Sequence, residues 1–310
     1  MNGMSAMETE ALLGDCTLCP RLCHGNRLKG TGFCGGGLKA KVALVSLHLW
    51  EEPVIAGDKG AGTVFFSGCN LHCIFCQNHE ISHGHKGIEV TDERLGEIFY
   101  EQQLRGAATL DLVTPTHYVP QIINGIFFAK KKGFALPVVY NSSGYENIST
   151  LALLRDMVDV FLPDLKYCSA DLAGEYSQAP DYFQVAQKAI RKMVEMTGAA
   201  QEKDGILQKG VLVRHMVLPG ARKDSMALLK WLWDEFGDTI MVSIMNQYTP
   251  SYKALAHPRL KRRLTTFEYD SVVDYALDLG FSRCFVQESG AAREEYIPQW
   301  TGEGVEASHV

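Results

Sequence analysis

Three cysteines constrain this chain more than any other feature of its sequence. Cys69, Cys73 and Cys76 fall within eight residues, directly after the apolar segment 63–67. Thiolates held by one tight loop can take three corners of a cubane [4Fe–4S] cluster and leave the fourth iron without a protein ligand. The spacing therefore predicts an iron–sulfur centre with one iron open to chemistry.

Zinc is the main alternative at this loop, because His72 or His79 can supply a fourth ligand. Disulfides are disfavoured. The chain has nine cysteines, with no apolar signal segment after Met1 and no apolar run long enough to span a bilayer. We therefore expect reduced thiols in a cytoplasmic protein with no membrane partner.

A second cysteine group stands near the start of the chain, in glycine-rich sequence with the spacing C-x2-C-x3-C-x10-C. Its members are Cys16, Cys19, Cys23 and Cys34. Four thiolates close a metal site, and the glycines let the backbone fold back around it. Structural zinc, a rubredoxin-like iron and an auxiliary [4Fe–4S] cluster all fit this spacing. We predict a second metal centre here and favour an iron–sulfur cluster.

Composition agrees with a large α/β domain. The 310 residues are 46% hydrophobic and 21% charged. The net charge of −6 argues against a nucleic-acid partner, which would need a basic surface. The short basic run 261–263 is interpreted as a solvated approach to a helix.

Apolar strand-like runs alternate with amphipathic helices, which predicts βα units with parallel strands. Thr91 and Asp224 are expected to cap helices, and Thr265 with Glu268 fits a capping box. About six such units predict an open, partial (β/α)6 TIM-like barrel over residues 41–310, preceded by a small metal-binding module over residues 1–40. The strands are expected at 41–50, 63–67, 111–115, 137–141, 159–164, 211–217, 240–245 and 283–287. The helices are expected at 92–105, 119–132, 146–157, 180–197, 224–236 and 266–279.

Polar residues follow five successive strands of the expected barrel. Because the carboxyl ends of parallel strands meet at one mouth, these residues should lie close together there. After the cysteine loop they are, in chain order, Thr114, Thr116 and His117, then Asn141 and Ser143, then Asp164 and Lys166, and finally Arg214 and His215.

The C-x3-C-x2-C spacing, with Phe75 just before the last cysteine, resembles the signature of the radical S-adenosylmethionine (SAM) superfamily. The resemblance implies that SAM occupies the open iron. From about residue 41 onward the chain is similar to the pyruvate formate-lyase activating enzyme group. The similarity rests on the runs EEPVIAG at 51–57 and GTVFF at 62–66, which are typical of an uncharacterised branch with an N-terminal four-cysteine motif.

The resemblance also implies roles for the strand-end residues. Activases receive the SAM amino group on a Gly-Gly-Glu motif, whereas this chain has Thr114-Pro115-Thr116-His117. Backbone carbonyls and threonine hydroxyls would have to accept the ammonium instead. The remaining cofactor-binding residues implied are Phe75 against the adenine, Asn141 and Ser143 on the methionine or ribose, Asp164 and Lys166 facing SAM, and Arg214 on the ribose or carboxylate.

The activity implied by the resemblance is reductive cleavage of SAM to a 5′-deoxyadenosyl radical that abstracts hydrogen. The leading hypothesis is a glycyl-radical-enzyme activase or a relative that modifies a protein or peptide substrate, with a flavodoxin or ferredoxin as electron donor. One alternative is a radical SAM enzyme acting on a peptide side chain or a small metabolite. Another is a non-catalytic zinc or iron–sulfur module.

Overall fold

The structure is a computed structural model that describes residues 3–287 and 298–306. Within these residues the chain forms ten α-helices and ten β-strands. The strands are β1 (Ala40–His48), β2 (Ala61–Phe66), β3 (Ile88–Val90), β4 (Leu110–Val113), β5 (Val138–Ser142), β6 (Val160–Pro163), β7 (Gln201–Lys203), β8 (Ile206–Met216), β9 (Met241–Met245) and β10 (Cys284–Val286). The helices are α1 (Ala6–Gly14), α2 (Pro53–Ala56), α3 (His79–Ser82), α4 (Asp92–Leu104), α5 (Val119–Lys131), α6 (Ile148–Leu153), α7 (Ala170–Ser177), α8 (Tyr182–Thr197), α9 (Arg222–Phe236) and α10 (Thr266–Leu279).

One curled sheet organises the chain. Its strands follow the order β10-β9-β8-β6-β5-β4-β2-β1-β3, and β7 pairs with β8. The seven strands from β2 to β10 along this order pair in parallel, whereas β1, β3 and β7 pair antiparallel. Six βα units thus lead to β10, and β10 and β3 lie at opposite ends of the order rather than closing the sheet. The partial (β/α)6 barrel that was expected is confirmed.

The parallel strands are apolar because both of their faces are covered. β2, β5, β6 and β9 are buried along their whole length, as in sheets that carry helices outside and packed side chains inside. The helices bury one stripe each. In α8 the buried residues recur at helical spacing and include Ala186, Ala189, Ile190 and Met193.

Helix ends test the capping predictions. Thr91 caps α4, and Thr265 with Glu268 forms the expected capping box of α10. Asp224 was wrong as a cap, because α9 begins two residues earlier and its N-cap is Ala221. The Asp224 carboxylate instead accepts the amides of Cys168 and Ser169. None of the helices in the described ranges has the length and apolar content needed to cross a bilayer.

Several elements of the structure were not expected from the sequence, among them α1, α2, α3 and β3. The short α7 and the β7–β8 hairpin were missed, and α6 is shorter than predicted. Ahead of β1, α1 begins at a capping box formed by Ser5 and Glu8. A small apolar cluster of Leu13, Cys16 and Leu18 follows it. The division of the chain at residue 40 stays a prediction.

Candidate active site

A cavity of about 440 Å³ opens at the carboxyl ends of the parallel strands. The three clustered cysteines line it together with most of the predicted strand-end residues. Those predicted residues are Phe75, Thr114, Asn141, Ser143, Asp164, Lys166 and Arg214. The mouth expected from the strand ends therefore exists, and one loop and four strands contribute to it.

The cysteine loop leaves β2 through Gly68, whose φ is +92°. A side chain at this position would collide with the carbonyl oxygen of Cys34, so only glycine fits the turn. The three thiols that follow reach the same cavity. Gly68 therefore sets the direction in which the loop presents its sulfurs.

Each of the three sulfurs has a hydrogen-bond partner. The Leu71 amide donates to Cys69 Sγ at 3.3 Å. The Ser177 hydroxyl donates to Cys73 Sγ at 3.0 Å, and the Ser82 hydroxyl lies 3.2 Å from Cys76 Sγ. Donors that converge on sulfur stabilise negative charge on thiolates. These donors act against burial, which raises the pKa of Cys69 to about 11 and that of Cys76 to about 12.

The two serine hydroxyls are themselves positioned by further polar groups. Tyr167 Oη lies 2.8 Å from Ser177 Oγ, and His83 Nδ1 lies 2.9 Å from Ser82 Oγ. Such outer partners fix the orientation of groups that contact a metal centre.

The donor set fits a cluster better than a single metal ion. Among the described residues, no three His, Cys, Asp or Glu side chains stand as the ligands of one ion. Structural zinc takes four protein ligands, whereas a [4Fe–4S] cluster with one open iron would take three thiolates. Three thiols with donors directed at sulfur fit such a cluster.

A charged network forms the wall of the cavity farther along the strand ends. Arg214 Nε donates to Asp164 Oδ1 at 3.1 Å, and Lys166 Nζ lies 2.6 Å from Asp164 Oδ2. Arg214 also contacts Asn141 Oδ1 at 2.5 Å and the Glu51 carboxylate at 3.2 Å. The four charged side chains are only 13–19% exposed. Two cations and two carboxylates thus share one partly buried site.

Burial and charge act in opposite directions on these groups. Burial by itself would raise the pKa of Asp164, but the positive charges of Lys166 and Arg214 outweigh it and hold that pKa below its usual value. Burial would lower the pKa of Lys166, yet Asp164 and the Cys73 sulfur raise it. Asp164 therefore stays ionised and Lys166 stays protonated.

Two neighbouring carboxyls behave differently. Burial, reinforced by the charge of Glu51, raises the pKa of Glu52 to about 7. The same two causes raise the pKa of Asp111 well above its usual value. Asp111 lies beneath the network, where its carboxylate is 3.4 Å from Asn141 Nδ2. These two buried carboxyls beside the network therefore carry less negative charge near neutral pH than two ordinary carboxylates would.

The two threonines that follow β4 are placed differently. Thr114 lines the cavity with a φ of +59°, and its amide donates to the Asn141 carbonyl at 2.8 Å. This left-handed backbone is uncommon outside glycine and is a feature of ligand clamps. Thr116 lies away from the cavity, buried, and donates to Glu146 at 2.6 Å. The structure therefore brings Thr114 to the site but not Thr116.

Phe75 and Ser143 both border the cavity and also pack into its wall. The Phe75 ring makes edge contacts with Tyr167, Tyr176 and Tyr248 at centroid distances of 6.1–6.4 Å. The Ser143 hydroxyl lies 3.4 Å from Asn70 Oδ1. Both residues are available to a ligand on their cavity side only.

The N-terminal cysteine segment packs directly against the catalytic loop. Arg21, between Cys19 and Cys23, donates to the carbonyls of Asn70, Leu71 and Ser177 at 2.7, 3.2 and 2.8 Å, and to that of Gln178. One guanidinium thus ties the segment to the loop and to the end of α7.

A second arginine holds the segment from its other side. Arg27 is 1% exposed and donates to the carbonyl oxygens of Gly37 and His117. Its Nη1 lies 3.9 Å from Cys16 Sγ. Of the four cysteines in this group, Cys23 is exposed and Cys16, Cys19 and Cys34 are buried. Their metal stays a prediction.

Several functional residues were missed by sequence reasoning. Glu51 lies in the run used for the family resemblance but was given no role, although its carboxylate binds Arg214. Ser82 and Ser177 carried no sequence signal, because their contacts with sulfur depend on the packing of separate elements. Cavity residues not assigned beforehand also include His48, Met216, Met245, Gln287 and Pro298.

Comparisons with known proteins place these observations in a family context. No family model matches the chain. An uncharacterised protein of Methanocaldococcus jannaschii is 28% identical over 281 residues, which cover 86% of this chain and 76% of that protein. A second protein of that organism, provisionally named as a glycyl-radical enzyme activating enzyme, is 24% identical over 160 residues, covering 51% of this chain and 63% of its own length.

The decisive observation is the three-cysteine loop at the carboxyl end of the first parallel strand, opening into the mouth of a partial (β/α)6 barrel. This is the arrangement that the resemblance to the radical SAM superfamily implies. In this protein the loop, the Asp164–Lys166 pair and Arg214 border one cavity.

Solved structures are similar to this chain at lower sequence identity. Streptococcus suis SuiB bound to the precursor peptide SuiA shares 12% identity and a TM-score of 0.49, covering 72% of this chain and 47% of SuiB. Native anSMEcpe with bound AdoMet shares 13% identity and a TM-score of 0.47, covering 71% of this chain and 61% of the other. The chain therefore spans about half of the SuiB chain.

Proposed function

We propose that this protein is an enzyme that binds a [4Fe–4S] cluster and SAM in the 440 Å³ cavity and generates a 5′-deoxyadenosyl radical. The observation that carries the proposal is the convergence of Cys69, Cys73 and Cys76 on one cavity, each with a hydrogen-bond partner at sulfur. Three protein thiolates leave one iron of a cubane open.

The residues beside the loop suit the charges of SAM. Lys166 and Arg214 are the cations available to its carboxylate, and Asp164 and Glu51 are the carboxylates available to its ammonium. The carbonyl groups around Thr114 offer further acceptors at the place where activases carry Gly-Gly-Glu. Phe75, Asn141 and Ser143 complete the proposed cofactor-binding set.

The chemistry that a bound, reduced cluster supplies is one-electron cleavage of the SAM sulfonium. The protein's own contribution is to orient the ligand and exclude water. Met216, Leu218 and Met245 make part of the wall apolar. None of these roles requires a protein nucleophile.

We further propose that the substrate is a protein or peptide, as in glycyl-radical-enzyme activation. The sheet order leaves β10 and β3 unjoined, and an open barrel gives a polypeptide loop lateral access to the mouth. The similarity to a relative provisionally named as a glycyl-radical enzyme activating enzyme also supports a protein substrate. A one-electron donor such as a flavodoxin or ferredoxin is then needed.

Anaerobic reconstitution followed by a SAM-cleavage assay tests the first proposal. The wild type should bind about four irons per chain at the loop and release 5′-deoxyadenosine when reduced. Replacing Cys69, Cys73 or Cys76 with alanine should abolish this release. The Cys168→Ala variant is a matched control, because this cysteine lies outside the loop. Undiminished cleavage by a loop variant would refute the proposal.

The second metal centre is proposed on Cys16, Cys19, Cys23 and Cys34. Metal analysis of the variant that lacks all three loop cysteines isolates it. About four irons retained per chain would support an auxiliary cluster, and one zinc would support a structural site. Absence of any metal would contradict a second centre.

The substrate proposal has its own test. A candidate glycyl-radical protein encoded beside this gene is incubated with the reduced enzyme and SAM. Activation should produce a glycyl-radical signal in electron paramagnetic resonance that requires Cys76. SAM cleavage without any partner radical would instead favour a small-metabolite substrate.

A further inference from the structure

A basic groove lies outside the catalytic cavity, between the starts of α7, α9 and α10. It has a volume of about 610 Å³. Arg222, Lys223, Arg259 and Arg262 line it, with Leu172 and Phe267 as apolar contacts. Arg262 belongs to the basic run 261–263, which was expected to be only a solvated approach to a helix.

The carboxylates of this groove are already engaged. Asp224 accepts the amides of Cys168 and Ser169 at 2.9 and 2.6 Å. Glu268 accepts the Gly220 amide at 2.7 Å and binds the Arg262 guanidinium. Charge-assisted bonds of this kind satisfy both acidic groups locally. Arg222 and Lys223 form no ion pair within the part of the chain that the structure describes, and the four cations of the lining outnumber its two carboxylates.

The groove contrasts with the rest of the protein. Its lining holds four of the chain's 30 Lys and Arg residues but only two of its 36 Asp and Glu residues. The whole chain has a net charge of −6. A concave positive patch on an acidic protein attracts an acidic partner and orients it during approach.

The groove is also close to the catalytic loop. Leu172, which lines the groove, and Ser177, whose hydroxyl donates to Cys73 Sγ, belong to the same helix α7. Five residues of α-helix span about 7.5 Å along the axis. A partner seated in the groove is thus separated from the Cys73 sulfur by little more than one short helix.

We propose that this groove docks the acidic one-electron donor protein that reduces the catalytic cluster. The inference rests on the proposed function. The step is transfer of one electron from a reduced flavin or iron–sulfur protein, which becomes oxidised, to the oxidised cluster, and no covalent bond forms or breaks. Arg222 and Lys223 supply the charges that recognise the donor, whereas Arg259 is paired with Glu175.

The test compares charge reversal inside and outside the groove. The R222E/K223E variant changes the first turn of α9, where glutamate is favourable to the helix dipole and folding should be retained. The matched control is K188E/K203E, which reverses two exposed lysines on α8 and β7. The probe is reduced flavodoxin, and the readout is the rate at which the cluster absorbance bleaches at several salt concentrations.

At low ionic strength, R222E/K223E should be reduced about tenfold more slowly than the wild type, and the difference should shrink as salt is added. K188E/K203E should match the wild type. Dithionite, which needs no docking site, should reduce every cluster to the same extent. Equal flavodoxin rates in all three proteins would overturn the inference.

A measurement of flavodoxin binding tests the groove independently of the proposed function. Fluorescently labelled flavodoxin should bind the wild type more tightly than R222E/K223E whether or not the cluster is present. If no cluster assembles or SAM is not cleaved, the proposed function fails, while this binding difference still reports on the groove. If R222E/K223E affects only modification of the substrate protein, the groove is a substrate site and the donor assignment is wrong.

Discussion

The amide of Cys69 donates a hydrogen bond of 3.1 Å to the carbonyl oxygen of Cys34. The last cysteine of the N-terminal group thus contacts the first cysteine of the catalytic loop through the backbone. Arg21 adds side-chain bonds between the same two segments. A change in the N-terminal group should therefore reach the catalytic loop directly.

Arg21→Ala should destabilise the protein by about 2–4 kcal/mol. The substitution removes several charge-assisted hydrogen bonds, and the carbonyl oxygens of Asn70 and Ser177 lose the donor that Arg21 supplies. Urea denaturation measures the free energy of unfolding. Arg155→Ala, which removes an exposed pair with Glu195, should cost under about 1 kcal/mol. Equal effects of the two substitutions would contradict this role for Arg21.

Ser177→Ala should lower the reduction potential of the reconstituted cluster. The hydroxyl that donates to Cys73 Sγ stabilises the more negative reduced state, so its loss makes reduction harder. Tyr167→Phe should shift the potential less, because Tyr167 acts through Ser177. Redox titration followed by electron paramagnetic resonance gives the potentials. Ser225→Ala, in a buried helix position of α9, is the control, and an unchanged potential in Ser177→Ala would count against the sulfur contact.

Replacing Asp164, Lys166 or Arg214 with alanine should weaken SAM binding about ten- to a hundredfold. Each substitution removes a charge-assisted interaction of about 1.5–3 kcal/mol from a partly buried network. Equilibrium dialysis of SAM on the reconstituted proteins measures the affinity, and circular dichroism checks the fold. Asp58→Asn, at an exposed position, should bind as the wild type does. Wild-type affinity in all three alanine variants would remove them from the cofactor site.

The contribution of Glu146 to stability should fall as pH rises from about 4.5 to 7. Burial raises the pKa of Glu146 to about 7 from its ordinary value of 4.5, against the effect of its hydrogen bonds. In this window the folded state holds a proton on Glu146 that the unfolded chain releases. The free energy of unfolding therefore decreases as the pH rises. The decrease in the free energy of unfolding that is due to Glu146 is about 3 kcal/mol.

Glu146→Gln should remove that part of the pH dependence and make the protein more stable at pH 8. Glu52, whose pKa is also about 7, adds a slope of the same sign, whereas burial lowers the pKa values of His117 and His215 and gives a slope of opposite sign. Urea denaturation at pH 5.5 and pH 8 measures both effects, with the exposed Glu10→Gln variant as control. A variant with the same pH slope as the wild type would show that Glu146 does not carry the proton.

The barrel and much of the site could be predicted from sequence because their signals are local. Apolar runs followed by amphipathic helices identify parallel strands, and the carboxyl ends of such strands share one mouth. Asp164, Lys166 and Arg214 were found in this way. Thr116 was expected at the mouth with them but lies outside the cavity. A short 3₁₀ turn at Thr116–Tyr118 directs its side chain toward Glu146 instead.

The sequence by itself therefore determined the parallel sheet, the cysteine loop and the strand ends that surround the cavity. Only the tertiary structure decided which distant groups complete them. Glu51 reaches Arg214 across 163 residues, and Ser177 reaches Cys73 across 104. Contacts between loops of different βα units depend on how the sheet curls and how helices pack on it, and no local periodicity encodes them.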